Sequence, residues 1–189
     1  MKEKKFVKNN HRPLHIYDWR FYFVSARTFE AKKYFKNDYY KKYFIKKFSK
    51  ISKKLNIKIY SFVLLENHYH AIIEVPIENK SNDKFVLSEF FRRLHSQTGS
   101  FLNSQEKVLG RKVWYQYWDY CIRNKKDFWI HFNYILQNPL KHKLVKNLEC
   151  CFDYRYSTNT TWKKRLGKEG LSESLNRYPI RSFVPDGLE

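Results

Sequence analysis

The chain is poor in cysteine, poor in acid relative to base, and free of any long apolar run, and each shortage removes a class of protein. Three cysteines, Cys121, Cys150 and Cys151, are too few and too unevenly spaced for a disulfide framework or a zinc knuckle, so reduced thiols are expected. Nowhere do about eighteen apolar residues follow one another, as a membrane-spanning helix requires. Met1-Lys2-Glu3-Lys4-Lys5 leads into no apolar segment of signal-peptide length. A soluble, cytoplasmic protein with no membrane attachment is the expectation. No internal repeat is evident, and no GxxxxGK[ST] phosphate loop occurs, which argues against nucleotide-driven chemistry.

What the chain has in quantity is positive charge and aromatic rings. With 38 Lys+Arg against 18 Asp+Glu and a net charge of +20, it calls for a polyanionic partner, because each neutralised phosphate releases condensed counterions. Hydrophobic residues at 42% and aromatics at 19% exclude a disordered chain and promise a core heavy in tyrosine and phenylalanine. Rings exposed between cations stack unpaired bases, which single-stranded nucleic acid presents freely. The length is that of one domain with appendages. The expected division is a basic arm over 1–16, a domain over 17–158 and a charged tail over 159–189, loop-rich from 163.

Within that domain the periodicity changes in a definite order. Trp19 to Arg27 is β-rich and reads as a first strand. Asn37-Asp38 offers an N-cap to a helix whose apolar face is Tyr40, Phe44, Phe48, Ile51 and Leu55, with lysines on its other side. Ile57 to Leu65 and Tyr69 to Val75 read as two strands joined at Glu66-Asn67. Asn79 to Asp83 supplies a loop and cap for a second amphipathic helix carrying Leu87, Phe90, Phe91 and Leu94. Lys112 to Arg123 is a fourth strand, with room for a bend into a fifth. Asp127 caps a third helix, Phe128 to Asn138, expected to stop before Pro139 because a residue preceding proline is driven out of the α region. Strand, helix, strand, strand, helix, strand is the α+β, ferredoxin-like order: an antiparallel sheet with two helices on one face, plus a C-terminal helix carrying Tyr134.

The chemistry gathers at Glu66-Asn67-His68-Tyr69-His70. Side chains alternate along a strand, so His68 and His70 share one face and Tyr69 takes the other; which face of the sheet that is stays open. Two imidazoles are half of a metal site, and a third ligand must come from elsewhere. Tyr134 and Asn138 stand one turn apart on one face of the third helix. Imidazoles with an amide oxygen suit a divalent ion such as magnesium or manganese, which polarises a phosphoryl oxygen. A phenol of ordinary pKa about 10 attacks phosphorus only when its proton is taken or its oxygen is held near the metal. The product of such an attack is a phosphotyrosine. His131, three residues before Tyr134, packs or assists the phenol, and Tyr69 reads as core. Trp114, Tyr115, Tyr117 and Trp118 divide between core and a DNA face, and alternation alone does not say which set stacks on bases.

Val63-Leu64-Leu65-Glu66-Asn67-His68-Tyr69-His70-Ala71-Ile72-Ile73, then the aromatic run 112–122, then Tyr134-Ile135-Leu136-Gln137-Asn138-Pro139, together resemble the single-tyrosine HUH transposases, and within them the REP-associated tyrosine transposases. The resemblance spans roughly 18–158. It implies a DNA endonuclease and strand transferase on single-stranded or hairpin DNA, with Tyr134 as nucleophile and His68, His70 and Asn138 holding a divalent magnesium or manganese ion. Gln137 is adjacent, but positions i+3 and i+4 differ by about 100° around a helix, which favours Asn138. The expected intermediate is a 5′-phosphotyrosine beside a free 3′-hydroxyl. Arg20, Arg27, Lys46, Lys50, Arg92, Arg93 and Arg123 are the expected phosphate contacts. Related transposases act as dimers that exchange the tyrosine helix, so a homodimer is a possible form. The alternative is a protein that binds such DNA on the same fold without cleaving it. The chain departs from the family pattern in its lysine richness and in Glu66, where proline is usual.

Overall fold

The computed structural model describes residues 20–76 and 83–180. Four strands, β1 (Phe21–Thr28), β2 (Lys58–Leu64), β3 (His68–Glu74) and β4 (Trp114–Cys121), form one antiparallel sheet in the order β2-β3-β1-β4. Helices α1 (Asp38–Lys54) and α2 (Asp83–Gln105) follow β1 and β3, which is the ferredoxin-like arrangement expected of the sequence. Asn37 caps α1 as its sequence suggests, its side chain accepting a hydrogen bond from Tyr39 N–H at 2.7 Å. The cap expected for α2 within 79–82, the arm and Trp19 lie outside the described residues.

Strand alternation splits the sheet into two apolar faces. Tyr22, Val24, Phe62, Leu64, Tyr69, Ala71 and Ile73 point to α1 and α2, where Phe44, Phe48, Phe90 and Phe91 cover them. Phe23, Val63 and Ile72 point the other way and meet Phe132, Ile135 and Leu136 of α3 (Lys125–Lys141). Each of these large side chains, once fully buried, contributes about 1.5–3 kcal/mol before entropy is set against it. Tyr69 therefore faces the first layer and His68 and His70 the second, so the histidines look at the helix that carries Tyr134.

Three expectations are corrected. The third helix does not stop before Pro139: it is capped at Asn124, whose side chain accepts from Asp127 N–H at 2.9 Å, and it runs on to Lys141 with Pro139 inside. A proline in the last turn removes a single i to i−4 bond, and the turn still closes through His142 N–H to the Asn138 carbonyl at 3.1 Å. The aromatic run does not bend into a fifth strand: a β-bulge between Trp114 and Tyr117 accommodates it within β4. The stretch from 163 is not loop-rich as far as 177: after the short α4 (Leu148–Phe152), α5 (Asn159–Arg177) continues the chain as a helix, and 181–189 lie outside the described residues. Leu171 of α5 is fully buried in the second core. Gly167 allows α5 its kink, with φ at +72°, a value that L side chains resist.

Candidate functional site

His68 and His70 stand on consecutive same-face positions of β3, their ring centroids 5.0 Å apart. Above them, α3 brings Tyr134 edge-on to His70 with the centroids 5.1 Å apart. Phe23 of β1 closes the side, stacked on His70 at 5.5 Å and edge-on to Tyr134 at 5.9 Å. Asn138, one turn beyond Tyr134, is buried beside the His68 ring. The four residues singled out in the sequence as the reactive set therefore meet within one chain.

The electrostatics favour neutral imidazoles. Burial, reinforced by the neighbouring His142 and Lys141 charges, pushes His68 down to about 3, against a smaller opposing effect of the Asn138 amide. Burial also drives His70 well below its ordinary value, with His68, His142 and Lys141 adding to it. His68 Nδ1 donates to the Asn67 side-chain oxygen at 2.7 Å, which leaves Nε2 with the lone pair. Both ring nitrogens of His70 and the side-chain oxygen of Asn138 are buried without a hydrogen bond of ordinary geometry. Unsatisfied buried polar atoms cost about 1–3 kcal/mol each, and a cation would relieve that cost at the lone-pair nitrogen of His70 and at the Asn138 oxygen, though not at the His70 nitrogen that carries the proton. Two neutral imidazoles and an amide oxygen fit a divalent ion in donor type. Among the described residues, no three His, Cys, Asp or Glu side chains converge as a metal-holding group.

Several neighbours were not singled out in the sequence. His142 lies 4.5 Å from His68 between ring centroids, and Lys141 Nζ is 5.5 Å from the centre of the Tyr134 ring. Residues 134, 138 and 142 follow the same i, i+4 row, so the signal was present, hidden by the assumption that α3 ends at Pro139. Asn67 is a third such neighbour: besides holding His68, its amide donates to the Ala31 carbonyl at 3.0 Å. Glu66, the departure from the family pattern, pairs with Lys33 at 2.9 Å, so its charge is locally compensated. His131 faces Asp127, Nδ1 to Oδ1 at 3.1 Å, and stacks on Tyr120 at 4.9 Å. Burial works against the Asp127 carboxylate, yet its hydrogen bonds from His131 and the Arg123 N–H hold it below the ordinary carboxylate value.

The basic residues divide between two layers. Lys50, Arg92 and Arg93, with Lys54, line a groove of about 520 Å³ between α1 and α2, on the layer opposite Tyr134. Arg92 and Arg93 both bond to Glu89 there. Lys46 is exposed on α1. Arg27 and Arg123 lie against rings of β4, 5.3 Å from Tyr115 and 5.6 Å from Tyr120. Arg20 donates to the Pro76 carbonyl.

The chain is similar in sequence, over part of its length, to proteins named REP-associated tyrosine transposase, and similar in fold to a solved one. The Escherichia coli K12 REP-associated tyrosine transposase is 31% identical over 111 residues, 58% of this chain and 58% of that protein. A relative from Haemophilus influenzae named for the same family is 29% identical over 100 residues, 50% of this chain and 54% of that protein. The matched stretch thus spans little more than half the length of these relatives. A solved structure of a REP-associated tyrosine transposase bound to a REP hairpin superimposes with a TM-score of 0.60 at 24% identity, covering 90% of this chain and 88% of that one. No family model matches the chain. Among the described residues, no helix is long and apolar enough to cross a membrane.

Proposed function

We propose that this chain is a metal-dependent DNA strand transferase acting on single-stranded or hairpin DNA through a covalent tyrosine intermediate. The observation that carries the reading is the meeting of Tyr134 with His70 at 5.1 Å, beside an Asn138 oxygen that is buried and unsatisfied. The names of the sequence relatives support the transposase class, and the hairpin held by the structural neighbour supports hairpin DNA as the ligand.

In this reading the Tyr134 oxygen attacks a backbone phosphorus as its proton leaves. The bond from phosphorus to the 3′-oxygen breaks, and that oxygen takes up a proton. The product is a 5′-phosphotyrosine and a free 3′-hydroxyl. Rejoining runs the same exchange backwards with a 3′-hydroxyl as nucleophile, and it needs no external energy because one phosphodiester bond is exchanged for another. His68, His70 and Asn138 would hold a magnesium or manganese ion, which when bound supplies positive charge to the phosphate under attack. Asn67 fixes the His68 ring, and Phe23 sets the spacing between His70 and Tyr134. Lys141, close to the phenol ring, lends positive charge where a phenolate develops.

The test is a labelled hairpin DNA incubated with protein and manganese and resolved on a denaturing gel. A slow-migrating covalent adduct is expected from the natural chain and none from Tyr134→Phe, which keeps its DNA affinity. An undiminished adduct in Tyr134→Phe removes the nucleophile from this position.

A further inference from the structure

The bulge in β4 has its own chemistry. In the β1/β4 ladder Ala26 pairs with Tyr117 and Thr28 with Trp114, so Tyr115 and Gln116 together stand opposite the single residue Arg27. The inserted residue shifts the alternation. Trp114 and Tyr117 consequently both turn to the first core, where Trp114 stacks on His95 at 4.6 Å and Tyr117 on Phe91 at 3.8 Å. Tyr115 is re-aimed outward and is 44% exposed, the exposed large apolar side chain of the sheet among the described residues. Two cations lie near it: the Arg27 guanidinium is 5.3 Å from its ring centre, and Lys112 Nζ is also 5.3 Å away and 4.9 Å from the Phe29 ring centre.

The position of this ring relates it to the candidate site. Arg27 pairs across β1/β3 with His68, and residues directly opposite in an antiparallel pair share a face. His68, Arg27 and Tyr115 therefore form a row across β3, β1 and β4. The covering helix α3 packs on β2 and β3, and Tyr115 lies at the far edge of the sheet from β2. A strand whose phosphate reaches Tyr134 and His68 has its neighbouring nucleotides carried along this row. An exposed ring with two cations near it offers aromatic surface to a base and charge to the adjoining phosphates, and sequence-tolerant stacking follows because every base has a π-face.

We propose that Tyr115, set on the β4 bulge near Arg27 and Lys112, is a stacking position for an unpaired base of the DNA strand that enters the Tyr134 site. This rests on the strand-transfer reading above for the identity of the DNA. It also resolves which β4 rings serve the nucleic acid: Tyr115 does, while Trp114 and Tyr117 are core.

The experiment measures affinity, in chelator so that no cleavage intervenes, of the full chain and its Tyr115→Ala, Tyr115→Phe and Tyr115→Trp variants. Two DNAs are compared, a hairpin with single-stranded flanks and the same hairpin with a blunt stem. Tyr115→Ala is expected to weaken binding of the flanked hairpin roughly tenfold or more and to leave the blunt hairpin unchanged. Tyr115→Phe and Tyr115→Trp keep the flanked affinity, because the ring and not the hydroxyl stacks. Equal weakening on both DNAs, or none on either, overturns the assignment. Failure of the parent reading looks different: the natural chain then forms no covalent adduct with either DNA in manganese, whatever the affinity ratio.

Discussion

The Tyr134 phenol and the His70 imidazole meet edge to face, 5.1 Å apart, across the junction of α3 and β3, and Phe23 of β1 packs against both rings. Three elements thus fix the relation between a phenol and an imidazole that burial keeps neutral. A neutral imidazole has its lone pair available at pH 7 without first losing a proton, which is what binding a cation demands.

His68→Ala and His70→Ala are each expected to lower manganese affinity at least tenfold, read by calorimetric titration, and to remove the covalent adduct. The calorimetric readout separates metal loss from any defect in DNA contact. Metal-dependent cleavage persisting in both variants would move the site elsewhere.

Because Tyr134 and His70 meet within one chain, mixing Tyr134→Phe protein with His70→Ala protein should not restore cleavage. Exchange of α3 between subunits would restore it, since one hybrid site would then hold both natural residues. Gel assays of the mixture at several protein concentrations decide between the two arrangements.

The attachment of α3 to α5 gives a stability prediction. The Asn133 amide donates to the Ser174 and Tyr178 carbonyls at 2.8 and 2.9 Å, and its oxygen accepts from the Ser174 hydroxyl at 2.9 Å; the two bonds with Ser174 are buried and the one to Tyr178 partly so. Asn133→Ala takes its bond from the Tyr178 carbonyl and its acceptor from the Ser174 hydroxyl, while the Ser174 carbonyl keeps the Tyr178 N–H at 2.9 Å, and it is expected to cost about 1–3 kcal/mol in urea unfolding. Ser174→Ala removes one of these bonds and should cost less, about 0.5–1.5 kcal/mol.

Much of this architecture was legible in the residues, for identifiable reasons. The α1 face repeats every three or four positions, the hairpin strands alternate, and Asn37 is a capping residue, all local signals. The faces of the sheet were not legible, because alternation says that His68 and His70 agree but not which layer they meet. Pro139 misled: its local preference to end a helix lost to the packing of a buried last turn, and with that turn went His142. The β4 aromatics were unreadable by period because a single inserted residue shifts the alternation. The helix over 159–177 has a weak apolar pattern, and its few buried contacts, Leu171 among them, are made with distant parts of the chain.

Acid stability should carry a signature of His95. Burial pushes this imidazole down to about 3, and it shares a hydrogen bond with the Tyr69 hydroxyl at 3.0 Å. The unfolded chain binds a proton here near pH 6.5 while the folded chain resists it to about pH 3, so between those values the unfolded state holds more protons. Stability is therefore full above about pH 6.5 and falls as the pH drops toward 3, by at most about 1.4 kcal/mol per pH unit for this residue. His95→Gln, which keeps a polar partner for Tyr69 and does not titrate, should flatten that slope in urea unfolding across pH 4–6.5. An unchanged slope assigns the acid sensitivity to other groups.

The groove between α1 and α2 yields the last prediction, because its cations are unequal. Arg92 and Arg93 both bond to Glu89 and hold its carboxylate down to about 2, so part of their charge is already matched. Lys50, exposed on the other wall of the groove, makes no such ion pair among the described residues. If duplex DNA lies along this groove, each phosphate neutralised there releases counterions, and the slope of log affinity against log salt steepens by about 0.9 per contact. Lys50→Gln should then reduce the slope by about 0.9. Arg92→Gln should reduce it by less, since Arg92 must first be drawn from Glu89. Both variants should keep the Tyr134 adduct at low salt, the groove lying on the opposite layer of the sheet. Slopes identical to that of the natural chain in both variants would place the stem away from α1 and α2, leaving Arg27, Lys112 and Arg123 on the Tyr134 side to carry the phosphates.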